Sequence, residues 1–278
     1  RLPGILPEMQ RDEILETTRI YSVAGLLGSN NPLVNQRPFR APHKNASSAS
    51  IIGGGRIPRP GEISLAQNGV LFLDEFPEFS RDVLEALRQP LEDRVVTVAR
   101  AQATCTYPAN FTLIASMNPC PCGHYGSDLE CNCTPPQIQR YLGRISGPLL
   151  DRMDLHVEIP RVKLDQLKEH SGGENSASLR EKVIKARDIQ QNRFARSKIK
   201  LNSQMRPADV RKFCSLDEAS QNLLKSVFDR LRLSARAYDR VLKIARTIAD
   251  LEAGKHIKTA HLAEALQYRS LDRKYWNN

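Results

Sequence analysis

The 278-residue sequence contains no GxxxxGK[ST] segment, the loop whose backbone N–H groups cradle phosphate and whose lysine neutralises it. Its one Gly-Lys pair, Gly254-Lys255, is followed by His256, and the glycines Gly53 to Gly55 are followed by Arg56. No apolar run approaches the roughly 18–20 residues of a membrane span, and the first residues lack the charged-then-apolar pattern of a secretory signal. A cytoplasmic protein without membrane contact is therefore expected. Acids are missing over one long stretch: none lies between Glu16 and Glu62, where Arg19, Arg37, Arg40, Lys44, Arg56 and Arg59 are set among Gly, Pro, Ser and Asn. Such a stretch makes a poor core. A nucleic-acid contact surface and a merely solvated insertion are both open readings of it.

A chain of this length can bury a full core and hold more than one domain. Its net charge of +10 is unevenly placed. Residues 178–278 carry 23 Lys+Arg against 11 Asp+Glu, or +12, whereas residues 1–177 carry 18 against 20, or −2. A basic excess suits a polyanion, although a solvated helical face produces the same count. The polar, glycine-rich KEHSGGENSAS, Lys168 to Ser178, is crossed by no hydrophobic period. It places a boundary there: an α/β part over 1–168, a linker over 169–177 and a helical part over 178–278. Helical spacing is expected over 179–195, 207–214, 217–231, 234–251 and 259–268, with Pro207 in a first turn and Ser215, Ser234 and Thr259 or its neighbours as N-caps.

In the first part, GVLFLDEFPE runs four apolar residues straight into two acids. Val70 to Leu73 reads as a strand buried on both faces, and ligands of such sheets sit beyond the carboxyl ends of the strands. There Asp74 can hold Mg²⁺ through water while Glu75 orients or deprotonates an attacking water, the Walker B division of labour. The plainer alternative makes Asp74 a cap for the helix expected over 80–91 and leaves Glu75 solvated. Residues 94–98 and 105–107 read as the arms of a hairpin, 111–116 as a second buried strand, 134–150 as a helix and 155–159 as a third strand. Strands interleaved with helices predict an α/β sandwich. Asn118, just beyond the second strand, would place an amide against a γ-phosphate if the strands are neighbours. Arg152, between a helix and a strand, can act as an arginine finger on a neighbouring subunit's nucleotide, and Arg236, with Arg240 one turn later as substitute, can reach phosphate from the helical part.

Four of the six cysteines cluster as CPCGHYGSDLECNC, Cys120, Cys122, Cys131 and Cys133. Two Cys-x-Cys pairs at this spacing can close around one tetrahedral Zn²⁺ and staple a loop that has no core, with His124 as a substitute ligand. Disulfides and free thiols are the alternatives. Four thiolates leave no open position, so the zinc would be structural. Cys105 and Cys214 stand alone and are expected to be packed.

RPFRAPH (37–43), PGEISLAQNGVLFLDEFPEF (60–79), LEDRVVTVARA (91–101), SMNPCPCG (116–123), SGPLLDRMDLHVEIP (146–160) and LSARAYDRVLKIARTIADLE (233–252) resemble the magnesium-chelatase-like AAA+ ATPases of the YifB/ComM competence protein family. The resemblance implies a P-loop NTPase α/β core followed by a small all-helical lid. It further implies ATP and Mg²⁺ as cofactors, a homo-hexameric ring, and DNA, single-stranded or branched, as the partner of a branch-migration helicase. A chelatase-like ATPase that remodels a protein partner for metal insertion is the alternative. Carried onto these positions, it makes Asp74 and Glu75 Walker B, Asn118 sensor 1, Arg152 the finger and Arg236 sensor 2. Residues 37–61 and 94–107 would be insertions lining the ring's channel, which places Arg37, Arg40, Lys44, Arg56 and Arg59 against DNA. Family members carry a Lon-protease-like domain and a phosphate loop upstream of RLPGILP. This chain opens on Arg1 without either, so the expectation is a truncated core, inactive alone.

Overall fold

The computed structural model describes residues 2–28, 32–100, 103–160, 173–231 and 234–269. They divide into two units, Glu8–Arg152 and, together with Pro3–Pro7, the residues from Met153 onward. Of the expected linker 169–177, residues 169–172 lie outside the described residues, and Ser176 and Ala177 already belong to the first helix of the second unit.

The strands are β1 (Phe39–Arg40), β2 (Gly53–Gly54), β3 (Arg59–Pro60), β4 (Val70–Leu73), β5 (Val95–Arg100), β6 (Ala103–Pro108) and β7 (Thr112–Ala115). A parallel sheet in the order β1-β4-β7 carries the first unit. Central β4 buries Val70, Leu71 and Leu73, as an uninterrupted apolar run between two neighbours requires. Its entry is tight: Val70 N–H donates to Pro38 O at 2.8 Å, and a Cβ on Gly69 would lie 2.1 Å from that oxygen. Two antiparallel hairpins, β2–β3 and β5–β6, complete the unit's strands. They touch, since the Tyr107 hydroxyl donates to Pro58 O at 2.7 Å.

The helices of this unit are α1 (Arg11–Ala24), α2 (Ser48–Ile52), α3 (Glu62–Leu65), α4 (Arg81–Ala86), α5 (Arg88–Asp93), α6 (Pro135–Leu142) and α7 (Gly147–Leu150). Ser80 caps α4, its Oγ accepting from Val83 N–H at 3.4 Å. The helix expected over 80–91 is broken at Leu87, because Pro90 lacks an N–H to continue the ladder. The helix expected over 134–150 likewise splits, at 143–146. Both breaks keep the apolar face: Val83, Leu84, Leu87, Ile145 and Leu149 are all buried.

One expected strand is absent. Leu155, Val157 and Ile159 are 52%, 62% and 83% exposed and pair with no strand, so their alternation has no face to bury. This extended stretch is held instead by His156 N–H on Tyr268 O at 2.9 Å.

The second unit is helical, as its spacing predicts: α8 (Ser176–Arg193), α9 (Pro207–Phe213), α10 (Glu218–Leu231), α11 (Ala235–Leu251) and α12 (Thr259–Gln267). Its core gathers Phe194, Val241, Leu242, Ala245, Leu262 and Leu266. Beside it Asp250, 1% exposed, accepts from Arg193 Nη1 at 2.8 Å, Asn202 Nδ2 at 2.8 Å and Arg246 Nε at 3.1 Å. A buried carboxylate needs that many donors. Ser234 caps α11 as expected. Asp217 rather than Ser215 caps α10, accepting from Ser220 N–H at 2.8 Å, and α12 opens on Lys258, whose N–H donates to His261 Nδ1 at 3.1 Å. Among the described residues no helix is long and apolar enough to cross a membrane.

Candidate functional site

Leu73 lies opposite Ala115 in the parallel β4–β7 ladder, so Asp74-Glu75 and Ser116-Met117-Asn118 leave the sheet at the same edge. Two backbone bonds zip these exits together, Ser116 N–H to Leu73 O at 3.0 Å and Phe76 N–H to Ser116 O at 2.9 Å. Asp74 Oδ1 accepts from Ser116 Oγ at 2.5 Å and from Glu75 N–H at 3.0 Å. Its side chain is therefore tied to the strand ends and does not cap α4, whose cap is Ser80. Glu75 has φ 52° and ψ 46°, the left-handed region that non-glycine residues seldom adopt. Its Oε2 lies 2.6 Å from Lys44 Nζ, and that contact raises the Lys44 ammonium above its ordinary value.

Asn118 is exposed at the mouth of this edge. Its backbone N–H reaches the hydroxyl of Tyr141, a buried residue of α6. Burial raises that hydroxyl above its ordinary value and the Glu78 charge adds to the rise, while the Asn118 N–H opposes it. Glu75 and Cys120 act on the same hydroxyl, so Tyr141 lies within electrostatic reach of the acids, the amide and the cysteine loop together. Ser116 and Tyr141 were not singled out from sequence. Ser116 follows directly on a strand that does predict the edge, but Tyr141 is 23 residues from Asn118 inside an ordinary helix and carries no local signal.

Arg152, its side chain 9% exposed, pairs with Glu92 of α5 and donates to Pro148 O at 2.6 Å. Arg236 is exposed in the first turn of α11, and Arg240 pairs with Asp154 Oδ1 at 2.5 Å within the helical unit.

The acid-free stretch is not short of acidic partners. Arg37, its side chain 7% exposed, donates to Glu13 Oε2 at 2.9 Å and Asn68 O at 2.6 Å, bracing β1 against α1. Arg40 grips Glu62 with two bonds of 2.6 and 2.7 Å. Lys44 is on Glu75. Three of the five cations expected on DNA are thus neutralised by carboxylates that lie outside the stretch. Arg56 and Arg59 are exposed at the tip of the β2–β3 hairpin, next to Ile57, which is 72% exposed.

The four clustered cysteines converge. Their sulfurs all lie within 4.8 Å of one another, with separations of 3.4 Å (Cys120–Cys122), 3.6 Å (Cys122–Cys131) and 3.8 Å (Cys120–Cys131). These are far beyond an S–S bond of about 2.05 Å and match the edge of about 3.8 Å of a tetrahedron with Zn–S near 2.3 Å. Backbone N–H groups face the sulfurs: Tyr125 donates to Cys120 Sγ at 3.3 Å, and the His124 N–H pulls the Cys122 thiol down to about 6. The Cys122 N–H likewise favours the Cys133 thiolate, but burial and the neighbouring Cys122 and Cys120 sulfurs outweigh it and raise Cys133 to about 12. Cys122 is therefore the more readily ionised of these two. Of the isolated cysteines, Cys214 is buried, and burial lifts its thiol to about 11, while Cys105 is partly buried.

Residues 1–167 match the family model described as magnesium chelatase, subunit ChlI, and residues 173–269 match the ChlI C-terminal model. Competence protein ComM of Haemophilus influenzae is 48% identical over 275 residues, covering 98% of this chain and 53% of that protein. Uncharacterized protein YifB of Salmonella typhimurium is 47% identical over 274 residues, with the same coverages of 98% and 53%. More distantly, DNA replication licensing factor mcm-6 of Caenorhabditis briggsae is 24% identical over 221 residues, 74% of this chain and 25% of that protein. The chain thus spans about half the length of its bacterial relatives. With both family models matched in order along a mixed α/β unit and a helical unit, the chain belongs to the magnesium chelatase subunit ChlI family of AAA+ proteins.

Proposed function

We propose that this chain contributes the Walker B, sensor 1 and lid portions of an ATP-hydrolysing, DNA-remodelling motor, a ComM-like branch-migration helicase acting as a cytoplasmic homo-hexameric ring. The observation that carries the reading is the β4–β7 register, which delivers Asp74, Glu75 and Asn118 to one sheet edge. Asp74 and the Ser116 hydroxyl form a hard oxygen donor set suited to Mg²⁺, which when bound neutralises charge on the nucleotide's phosphates. Glu75 accepts a proton from, or orients, the attacking water, once Lys44 releases it. The Asn118 amide fixes that water. Arg152, on leaving Glu92, acts on the nucleotide of an adjacent subunit, and Arg236 with Arg240 addresses phosphate from the helical unit. The phosphate loop that this sequence lacks is assigned to the remainder of a protein as long as its relatives.

The two touching hairpins, with Arg56 and Arg59 exposed on one of them, are the DNA-contacting elements of this reading. Names of the relatives agree, one a competence protein and one a DNA replication licensing factor. The thiolate cluster fits a structural Zn²⁺, a softer cation than Mg²⁺ and therefore sorted to sulfur.

A second reading follows from the magnesium chelatase description of the matched models: ATP-driven remodelling of a protein partner for metal insertion. ATP hydrolysis by the full-length protein, measured alone and with single-stranded and forked DNA, separates the two. Stimulation by DNA is expected. Turnover indifferent to DNA favours the remodeller, and no turnover at all removes both.

A further inference from the structure

Residues 116–134 contain neither helix nor strand, and of residues 116–137 only Cys120 is buried. A loop of this length with one buried side chain has no apolar core to hold it. What does turn inward is sulfur: all four Sγ atoms meet within 4.8 Å. The first two are brought together by a turn in which Gly123, at φ 82°, donates its N–H to Cys120 O at 3.0 Å. The nearest atoms to a Cβ built on Gly123 are Asn118 Cγ and Nδ2, at 3.8 and 3.9 Å. The floor of the cysteine turn thus lies against the carboxamide of Asn118. On the backbone side the N–H of the same residue lies near the Tyr141 hydroxyl of α6. Asn118 therefore has two supports, one a helix packed into the core and the other a loop whose inward groups are thiols.

We propose that a zinc ion bound by Cys120, Cys122, Cys131 and Cys133 positions Asn118, so that occupancy of the thiolate site sets the rate of nucleotide hydrolysis at the neighbouring carboxylates. The four cysteines are positioning residues and touch no substrate. Binding replaces thiol protons with metal–sulfur bonds and involves no redox change. Without the ion the loop keeps only its local turn hydrogen bonds and the buried Cys120, and the amide loses its lateral support, while Asp74 and Glu75 stay in place between the β4–β7 ladder and the Phe76 N–H bond to Ser116 O. The kinetic consequence rests on the ATPase reading; the ordering of Asn118 does not.

The test uses full-length protein purified without chelator, stripped with a soft-donor chelator and reconstituted with Zn²⁺ or Co²⁺. About one zinc per chain is expected, and the cobalt form should show the visible and sulfur-to-metal bands of a tetrahedral thiolate site. Amide exchange at residues 117–125 should rise on stripping, whereas exchange at 70–73 should not. Turnover should fall roughly 10- to 100-fold with nucleotide affinity kept, and should return with either metal. In Asn118→Ala protein, stripping should cost no further turnover, because the path it would act through is already gone. Absence of metal, unchanged exchange at 117–125, exchange rising equally at 70–73, or an undiminished effect of stripping in the Asn118→Ala protein would each overturn the proposal. A protein that never hydrolyses ATP, but whose exchange at 117–125 follows metal content, removes the ATPase reading and leaves the positioning role standing.

Discussion

Lys44 and Glu75 show how a residue's surroundings decide its role. The run around Lys44 has no acid, yet Lys44 Nζ sits 2.6 Å from the carboxylate that the sequence marks as the water-activating base. The pair is partly exposed, so it contributes little to stability. Its effect is on Glu75: the ammonium occupies the carboxylate oxygen that would otherwise be open to a water. Lys44→Met in the full-length protein is therefore expected to leave the melting temperature nearly unchanged and to raise basal ATP turnover several-fold. Glu75→Gln should instead reduce turnover by roughly 10²- to 10⁴-fold, the usual range for removal of a general base, with nucleotide binding kept. A lower basal rate for Lys44→Met would show that the lysine works with the base rather than restraining it. The same ion pair shows what was legible at this scale. The DE pair could be read locally because it follows directly on a buried strand, and Asn118 because it lies just beyond the strand paired with that one. The partners of Arg37, Arg40 and Lys44 could not, since Glu13, Glu62 and Glu75 are 22 to 31 residues away in sequence and counting charge along the chain is blind to them.

Elements were legible wherever one face had a clear period. The strands over 70–73 and 112–115 and the five helices of the second unit fall within a few residues of expectation. Errors came where a pattern depended on something other than its own period. Leu155, Val157 and Ile159 alternate as a strand should, but a strand also needs a neighbour, and none pairs with this stretch among the described residues. Caps were uneven for a similar reason: Ser, Thr and Asp are all good acceptors, and which one serves depends on where the first turn begins. At α10 the choice is Asp217, and it makes stability pH-dependent. The Ser220 hydroxyl and then its N–H hold the Asp217 carboxyl below its ordinary value of 3.8. A carboxyl depressed in the folded state stabilises that state above the unfolded value and loses the contribution as pH falls through the folded one. Asp217→Ala should therefore lower the unfolding midpoint of the protein at about pH 7. The gap between variant and parent should narrow progressively below pH 3.8. A gap independent of pH would mean that packing rather than the charged cap is responsible.

Across the whole molecule the charge is divided, +12 over residues 178–278 against −2 over 1–177, yet the hairpins proposed to meet DNA belong to the second of these stretches. Bulk charge and local charge at an interface are separate quantities. The first governs long-range attraction to a polyanion, while the second fixes how many counterions are released on binding. Reversing exposed and embedded arginines should therefore have opposite signatures. Arg56→Glu with Arg59→Glu, on the exposed hairpin, should leave thermal unfolding unchanged, weaken binding to single-stranded DNA, and flatten the log K against log salt slope by about 0.7 for each phosphate no longer neutralised. Arg37→Glu or Arg40→Glu puts a new carboxylate against Glu13 or Glu62 in a half-buried setting, and should lower the unfolding temperature before any DNA effect can be read. Binding titrations at several salt concentrations beside melting curves distinguish the two classes. An unchanged salt slope in the hairpin variant would remove the β2–β3 tip from the DNA interface and move the proposed site of binding to the basic helical unit, whose net charge would then account for the attraction.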